Sequence, residues 1–292
     1  MFKGAPDLKH FLLILMVLVG FSSSGLANDL RDVPPPYQAL LDRLIKDGLD
    51  KEFLSPLFLD RRAEPIPNRM AISLLTREIP EIYAKFLTFE WILLAKNFLR
   101  QNLTILKEME RKFDVEKEVA VAILLVESRF GENTGKHRVI PTLASMAIMN
   151  STENLLKNYS TIWEMNPEIS YDWIENVANR RANWAYKELK CFLEIIRSED
   201  MDPLEVYGSI AGALGMPQFI PSSYIAYAMN RNSFKDWLYD PEGAIFSIGN
   251  YLKSHGWERG LPIHQQKKLL WHYNRSDPYG ETILKIAQKI RN

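Results

Sequence analysis

The chain has a single cysteine, Cys191, among its 292 residues. One thiol excludes any internal disulfide. With only five histidines beside it, little material is left for a zinc site. Charge of neither sign prevails, 36 basic residues facing 36 acidic ones, so no basic excess points to a nucleic-acid partner. The apolar run Phe11–Val19 (FLLILMVLV) falls short of the ~20 residues that cross a bilayer. Period-2 alternation is scarce and no internal repeat is visible, which disfavours sandwiches, barrels and solenoids. What remains is an ordinary globular composition, 47% hydrophobic and 25% charged, able to bury a real core.

The N-terminus speaks to the compartment. Lys3 and Lys9 precede the apolar run, and Gly25-Leu26-Ala27 offers small residues at a cleavage site. This order of charge, apolar core and small residues reads as a secretory signal peptide over residues 1–27, with an uncleaved membrane anchor as the alternative. No cysteine stands at the cleavage site to take a lipid. A periplasmic protein is expected. Cys191, between Lys190 and Phe192 in a helical pattern, reads as a packed structural thiol.

Beyond Pro34-Pro35-Pro36, apolar residues at helical spacing (Leu40, Leu41, Leu44, Ile45, Leu49) predict one helix from Tyr37 to Phe53. Residues 60–68 carry two prolines and read as a loop. Residues 81–113 form helix strongly, and Asp114 is placed to cap the next helix, which runs to about Glu127. Its Val119–Val126 stretch is apolar almost all round, so that helix belongs at the centre of the core. Gly131 and Gly135 break the pattern. Helix returns over 141–160 and 171–200, and Asp202-Pro203 opens a turn. Residues 208–224 form a loop or short turns, Asp240-Pro241 starts a helix ending at Gly256, and a last helix covers Pro278–Ile290. The fold class is mainly α: a helical N-terminal segment over 28–80, then a domain over 81–292.

Glu127 follows eight apolar residues near a helix end. Ile123 and Leu124 lie one turn back. A carboxyl so placed is poorly solvated, which raises its pKa and suits it to a general acid for glycosidic cleavage. A purely structural role, at the helix end or paired with Arg129, is the alternative.

The segment Val126-Glu127-Ser128-Arg129-Phe130-Gly131 resembles the catalytic signature of lytic transglycosylases. Ala211-Gly212-Ala213-Leu214-Gly215-Met216-Pro217-Gln218-Phe219-Ile220-Pro221-Ser222-Ser223-Tyr224 resembles their second motif. Asn179-Arg180-Arg181-Ala182, Asp240-Pro241, Asn250-Tyr251, His255-Gly256-Trp257 and Tyr273-Asn274-Arg275-Ser276-Asp277-Pro278-Tyr279 follow in the order seen in the membrane-bound lytic transglycosylase B family. The likeness runs from Tyr83-Ala84-Lys85-Phe86-Leu87 to the C-terminus.

This resemblance implies a lysozyme-like helical core, with no metal or organic cofactor. It implies cleavage of peptidoglycan between N-acetylmuramic acid and N-acetylglucosamine, leaving a 1,6-anhydro end. Glu127 would act alone, first as acid and then as base. The resemblance places Ser209, Gln218, Phe219, Tyr224, Tyr251, Tyr273 and Asn274 along the cleft. Arg180 and Arg181 would meet the acidic groups of the muramoyl residue. Phe219 and Tyr251 read equally well as core residues, and the arginine pair as a solvated surface. The implied partners are peptidoglycan strands, met by a monomer beside other cell-wall enzymes.

Two other functions compete. A lysozyme-type hydrolase needs a second carboxylate, for which Glu132, Asp236 and Asp240 are the candidates. A non-catalytic peptidoglycan-binding protein would not need Glu127. The chain departs from the family at Met216-Pro217, at the missing lipid anchor, and at Asn230–Trp237. That last segment holds one Asp and two cations, too few acids for calcium.

Overall fold

The computed structural model describes residues 32–66, 80–229 and 233–292. The proposed signal peptide lies outside these residues, as do Asn230–Asn232 of the segment considered for calcium.

The fold grows around one helix. Lys117–Ser128 (α6) buries Val119 to Leu125 completely or nearly so. A helix apolar on every side needs neighbours on every side. Phe89–Gln101 (α4), Leu103–Phe113 (α5), Pro241–Ser254 (α12) and Asp277–Arg291 (α14) supply them. Gly249 of α12 lets Met109 and Phe113 of α5 come close, since a Cβ there would stand 2.7 Å from both side chains. Pro80–Ala84 (α3) and a short 3-10 turn, Lys85–Leu87, pack onto α14 and close one side of the central helix.

A second layer pairs Val139–Ala147 (α7) with the long helix Tyr171–Ile196 (α9), with Thr152–Met165 (α8) alongside. Ser151 and Ser170 cap α8 and α9 by accepting from Asn154 and Trp173 N–H, satisfying helix-start donors that would otherwise lack partners. Pro35–Lys46 (α1) and Lys51–Leu59 (α2) dock on this layer. Tyr37 is fully buried against Phe58, and its hydroxyl lies 3.1 Å from Ser145 Oγ. Asp47 accepts from Tyr186 and Lys190 at 2.8 and 3.0 Å, and Arg197 bonds Asp50. The N-terminal segment is thus bound directly to the rest.

The remaining helices are Pro221–Tyr227 (α10), Phe234–Trp237 (α11) and Ile263–Tyr273 (α13). Two strands, His137–Arg138 (β1) and Tyr207–Gly208 (β2), pair antiparallel, with His137 opposite Gly208. Gly135 sits beside them at φ +105°, where a Cβ would fall 2.0 Å from the Gly208 carbonyl. Only glycine fits there.

The mainly α class holds. Several sequence expectations change. The helix predicted over Tyr37–Phe53 is two helices, because Gly48 takes φ +96° and ends the first. Residues 81–113 divide at Thr88 and Asn102. Asp114 does not cap α6. It is a left-handed residue closing α5, and its carboxylate binds Arg259 at 2.6 Å. Helix α13 escaped prediction, because only its Leu270 is buried and the rest reads as a polar surface. The β1–β2 pair, two residues a side, is too short for alternation to register.

Candidate active site

Glu127 is the next-to-last residue of α6. Beyond Ser128 the chain turns back on itself through three left-handed residues: Arg129 (φ 53°), Phe130 (φ 60°) and Gly131 (φ 92°). The first two have side chains, and the left-handed region costs such residues roughly 1–2 kcal/mol each. Local bonds hold the turn. Phe130 N–H reaches the Leu124 carbonyl at 3.1 Å, Gly131 N–H reaches Ser128 Oγ at 3.0 Å, and Asn133 N–H reaches the Ser128 carbonyl at 2.8 Å. Phe130 stacks on Phe98 with ring centroids 4.1 Å apart, a pairing worth ~0.5–1.5 kcal/mol beyond burial. Backbone outliers of this kind cluster at functional sites, which marks the end of α6 as a candidate.

Glu127 opens into a cavity of about 280 Å³. The end of α6 and the residue after it, Leu125 to Arg129, line it together with Lys85, Phe86, Trp91 and Asn133. The Arg129 guanidinium lies over the Trp91 ring, 4.6 Å from its centroid. Among the described residues, Glu127 is the one carboxylate that lines the cavity. Glu132 does not line it, and is exposed and paired with Arg129 at 3.1 Å. Asp240 caps α12 by accepting from Glu242 and Gly243 N–H at 3.1 and 2.7 Å. Asp236 lies in α11, where its N–H is capped by Ser233.

From α14, Tyr279 donates its hydroxyl to Glu127 Oε1 at 2.7 Å. Burial and the nearby Glu127 charge raise the Tyr279 pKa well above the ordinary phenol value, so this group stays a donor. Tyr273 responds to burial and to Glu127 in the same direction. Its hydroxyl donates to the Pro217 carbonyl at 2.5 Å, and its ring stacks on Tyr279 at 6.3 Å. The turn between α13 and α14 thus delivers Tyr273 and Tyr279 to the end of α6 that carries Glu127. Asn274 occupies that turn, its N–H bonded to the Leu270 carbonyl at 3.0 Å.

The loop before α10 is the second support. Gln218 is left-handed (φ 52°). Its amide nitrogen donates to the carbonyls of Thr134 and Gly215 at 3.0 and 2.8 Å, tying the second motif to the segment that follows α6. Both amide hydrogens face backbone, and only the amide oxygen is left to meet a ligand. Ser209 Oγ accepts from Ala211 and Ala213 N–H at 3.1 and 3.0 Å, shaping the same loop. Glu188, buried on α9, accepts from Ser222 N–H and hydroxyl at 2.9 and 2.8 Å and fixes the start of α10. Burial pushes its pKa up.

Phe219, Tyr224 and Tyr251 are core residues, 2%, 5% and 7% exposed. Phe219 packs on Trp237, Tyr251 and Tyr273, and Tyr224 packs on Phe234 and Trp237. Tyr251 donates to the His272 carbonyl at 2.7 Å. Arg180 and Arg181 lie on α9, outside the cavity lining. Burial lowers the Arg181 pKa, and Arg180 adds to the effect.

Sequence reasoning did not select Tyr279, Lys85, Phe86 or Trp91. Tyr279 stands inside a quoted motif, and its position just past a Pro at a helix start was the available signal. Lys85 and Phe86 stand in the segment where the likeness begins, with no chemistry there to mark them, and Trp91 lies outside every motif.

The model of the transglycosylase SLT domain matches residues 37–270. Membrane-bound lytic murein transglycosylase B of Escherichia coli K12 is 34% identical over 177 residues, covering 60% of this chain and 41% of that protein. Two solved structures share the fold. The Escherichia coli lytic transglycosylase Slt35, solved with bulgecin A, superposes with a TM-score of 0.68 at 24% identity, covering 88% of this chain and 93% of that one. SltB3 of Pseudomonas aeruginosa, solved with NAG-anhNAM-pentapeptide, gives 0.65 at 20% identity, covering 87% and 78%. With the catalytic signature, the helical core and a match over most of its length, the chain belongs to the transglycosylase SLT domain family.

Proposed function

We propose that this chain is a peptidoglycan lytic transglycosylase and that Glu127 performs both proton transfers. One observation carries the reading: among the described residues Glu127 is the sole carboxylate lining its cavity, and a fixed phenol donor holds it at 2.7 Å. Hydrolytic glycosidases ordinarily use two carboxyl groups, the second to activate water or form a covalent intermediate. A one-carboxylate site suits a reaction in which the nucleophile belongs to the substrate.

Protonated Glu127 gives its proton to the oxygen between muramic acid and glucosamine as that bond breaks. The N-acetyl group of the muramoyl sugar stabilises the positive anomeric carbon. Glu127, now charged, accepts the proton of the sugar's own 6-hydroxyl, which closes onto the anomeric carbon as a 1,6-anhydro ring. Tyr279 donates to the carboxylate through this second stage. Ring closure within one sugar benefits from high effective concentration, so no water needs activating.

Of the remaining candidates, the Gln218 amide oxygen and Asn274 suit contact with N-acetyl groups, and Tyr273 suits positioning Glu127. Phe219, Tyr224, Tyr251 and Ser209 support the cleft from behind. Arg180 and Arg181 suit acidic groups further along a strand. We assign residues 81–292 to the catalytic domain, 28–80 to a segment that buttresses it, and 1–27 to an export signal that places the enzyme in the periplasm. Among the described residues no helix is long and apolar enough to cross a membrane.

Mass spectrometry of fragments released from purified sacculi tests the reading. The expected products carry the anhydro ring and cannot be reduced by borohydride. Products heavier by one water, with reducible ends, would make the chain a hydrolase.

A further inference from the structure

The loop that carries Gln218 runs into a helix that cannot cap itself. At the start of α10, Ile220 stands in the capping position with no side-chain acceptor, and Pro221 follows without an N–H. The first N–H inside the helix is therefore that of Ser222, and it needs a partner from elsewhere. Glu188 of α9 supplies it. One carboxylate oxygen accepts from Ser222 N–H at 2.9 Å and the other from its hydroxyl at 2.8 Å. The cap of α10 thus comes from a residue 34 positions earlier in the chain.

Glu188 is a costly group for this task. It is 4% exposed, and it makes no ion pair among the described residues. Burying a carboxyl with no cation beside it is unfavourable, so stability does not account for its place. The proton transfers do not use it either, since it lies outside the Glu127 cavity lining.

The residues just before Ser222 supply a reason. Gln218, four positions back, holds the left-handed region at φ 52°. A residue with a side chain stays there only while its surroundings impose it. On the entry side, Gln218 N–H and its side-chain amide bond the carbonyls of Gly215 and Thr134. On the exit side, Phe219 pairs with Leu214 through bonds of 2.8 and 3.1 Å. The chain then passes through Ile220 directly into the Ser222 anchor. A frayed start of α10 would free that exit, and Gln218 could relax to ordinary backbone with its amide turned away from Thr134.

Accepting the contact proposed above between the Gln218 amide oxygen and the strand, we propose that Glu188 is a positioning residue. Through Ser222 it fixes the exit of the loop, so that Gln218 presents its amide oxygen to the N-acetyl group. It acts on binding and takes no part in the chemistry at Glu127.

Steady-state kinetics on solubilised glycan strands tests this. Glu188→Leu should raise KM on the order of tenfold, the scale of one lost polar contact, with kcat and melting temperature little changed. Ser222→Ala, a milder change that removes one of the two bonds, should move KM in the same direction. Glu188→Gln should keep the parent's KM, because its amide can accept from Ser222 N–H and donate to the hydroxyl. Gln218→Ala should raise KM by itself, and adding Glu188→Leu to it should raise KM no further. Effects that multiply in the double variant would overturn the proposal. So would Glu188→Leu or Ser222→Ala chains that melt earlier while keeping the parent's KM, since Glu188 would then be structural only. Product type, anhydro or reducing, is read from the same digests, so the transglycosylase reading can fail while the positioning result stands.

Discussion

Helices α12 and α6 both run into a left-handed glycine, by opposite means. At the end of α12, Gly256 takes φ +96° with open space around it. Its N–H returns to the Lys253 carbonyl and that of Trp257 to Leu252, both at 2.9 Å. This is a relaxed helix stop, with Trp257 buried beneath it. At the end of α6, two residues with side chains precede Gly131 in the left-handed region. The turn survives because Phe98, Trp91 and Ser128 hold it from outside. The first stop follows from its own sequence. The second depends on the rest of the fold, and it carries Glu127.

The largest expected effect comes from the carboxyl itself. Glu127→Gln should fold normally and lose at least about 10²–10⁴-fold in lytic rate on purified sacculi, the usual worth of a positioned proton donor. Near wild-type turnover would remove Glu127 from the mechanism. Next is its support. Tyr279→Phe removes one hydrogen bond to a charged group and should lower kcat on the order of tenfold, with KM little changed. A variant that melts earlier yet keeps full kcat would make Tyr279 structural only.

The glycines test the contrast directly. Gly131→Ala and Gly256→Ala should each cost about 1–2 kcal/mol in chemical denaturation, because alanine tolerates positive φ poorly. Only the first should also lower the activity of folded protein, since its Cβ would press Met216 Cγ from 3.1 Å. Equal activity in both variants would separate the strained turn from catalysis. The smallest effect belongs to Arg129→Gly. Relief of the left-handed cost opposes the lost contact with Trp91, worth ~0.5–1 kcal/mol, and the loosened backbone. Stability should stay within about 1 kcal/mol of wild type; a larger loss would mean that the Arg129–Trp91 contact holds the turn.

The same contrast explains what could be read from the chain. The central helix was legible because Val119–Val126 is apolar on all sides. Glu127 was legible because a charge after such a run is conspicuous. The Asp240 cap and the Gly256 stop were legible because each is written in adjacent residues. The partners of Glu127 were not. Tyr279 meets it across a separation of 152 residues, and Lys85 and Trp91 arrive from the 3-10 turn and from α4. Gln218 shows the same limit: its left-handed backbone and its bond to Thr134, 84 residues away, have no local signal. Helix α13 was missed because its exposed face is polar and its buried face rests on Leu270.

The central helix is held at both ends by late-arriving chain. At its start, Trp257 Nε1 donates to Glu116 across 141 residues. At its finish, the Tyr279 bond closes over a still longer interval. Contacts of such span form only after long loops have closed, and they come late in folding. A ribosome-bound or partly threaded chain would possess Glu127 but neither of these ties. A complete setting for Glu127 would therefore exist only after the chain beyond Tyr279 has formed and folded onto the central helix.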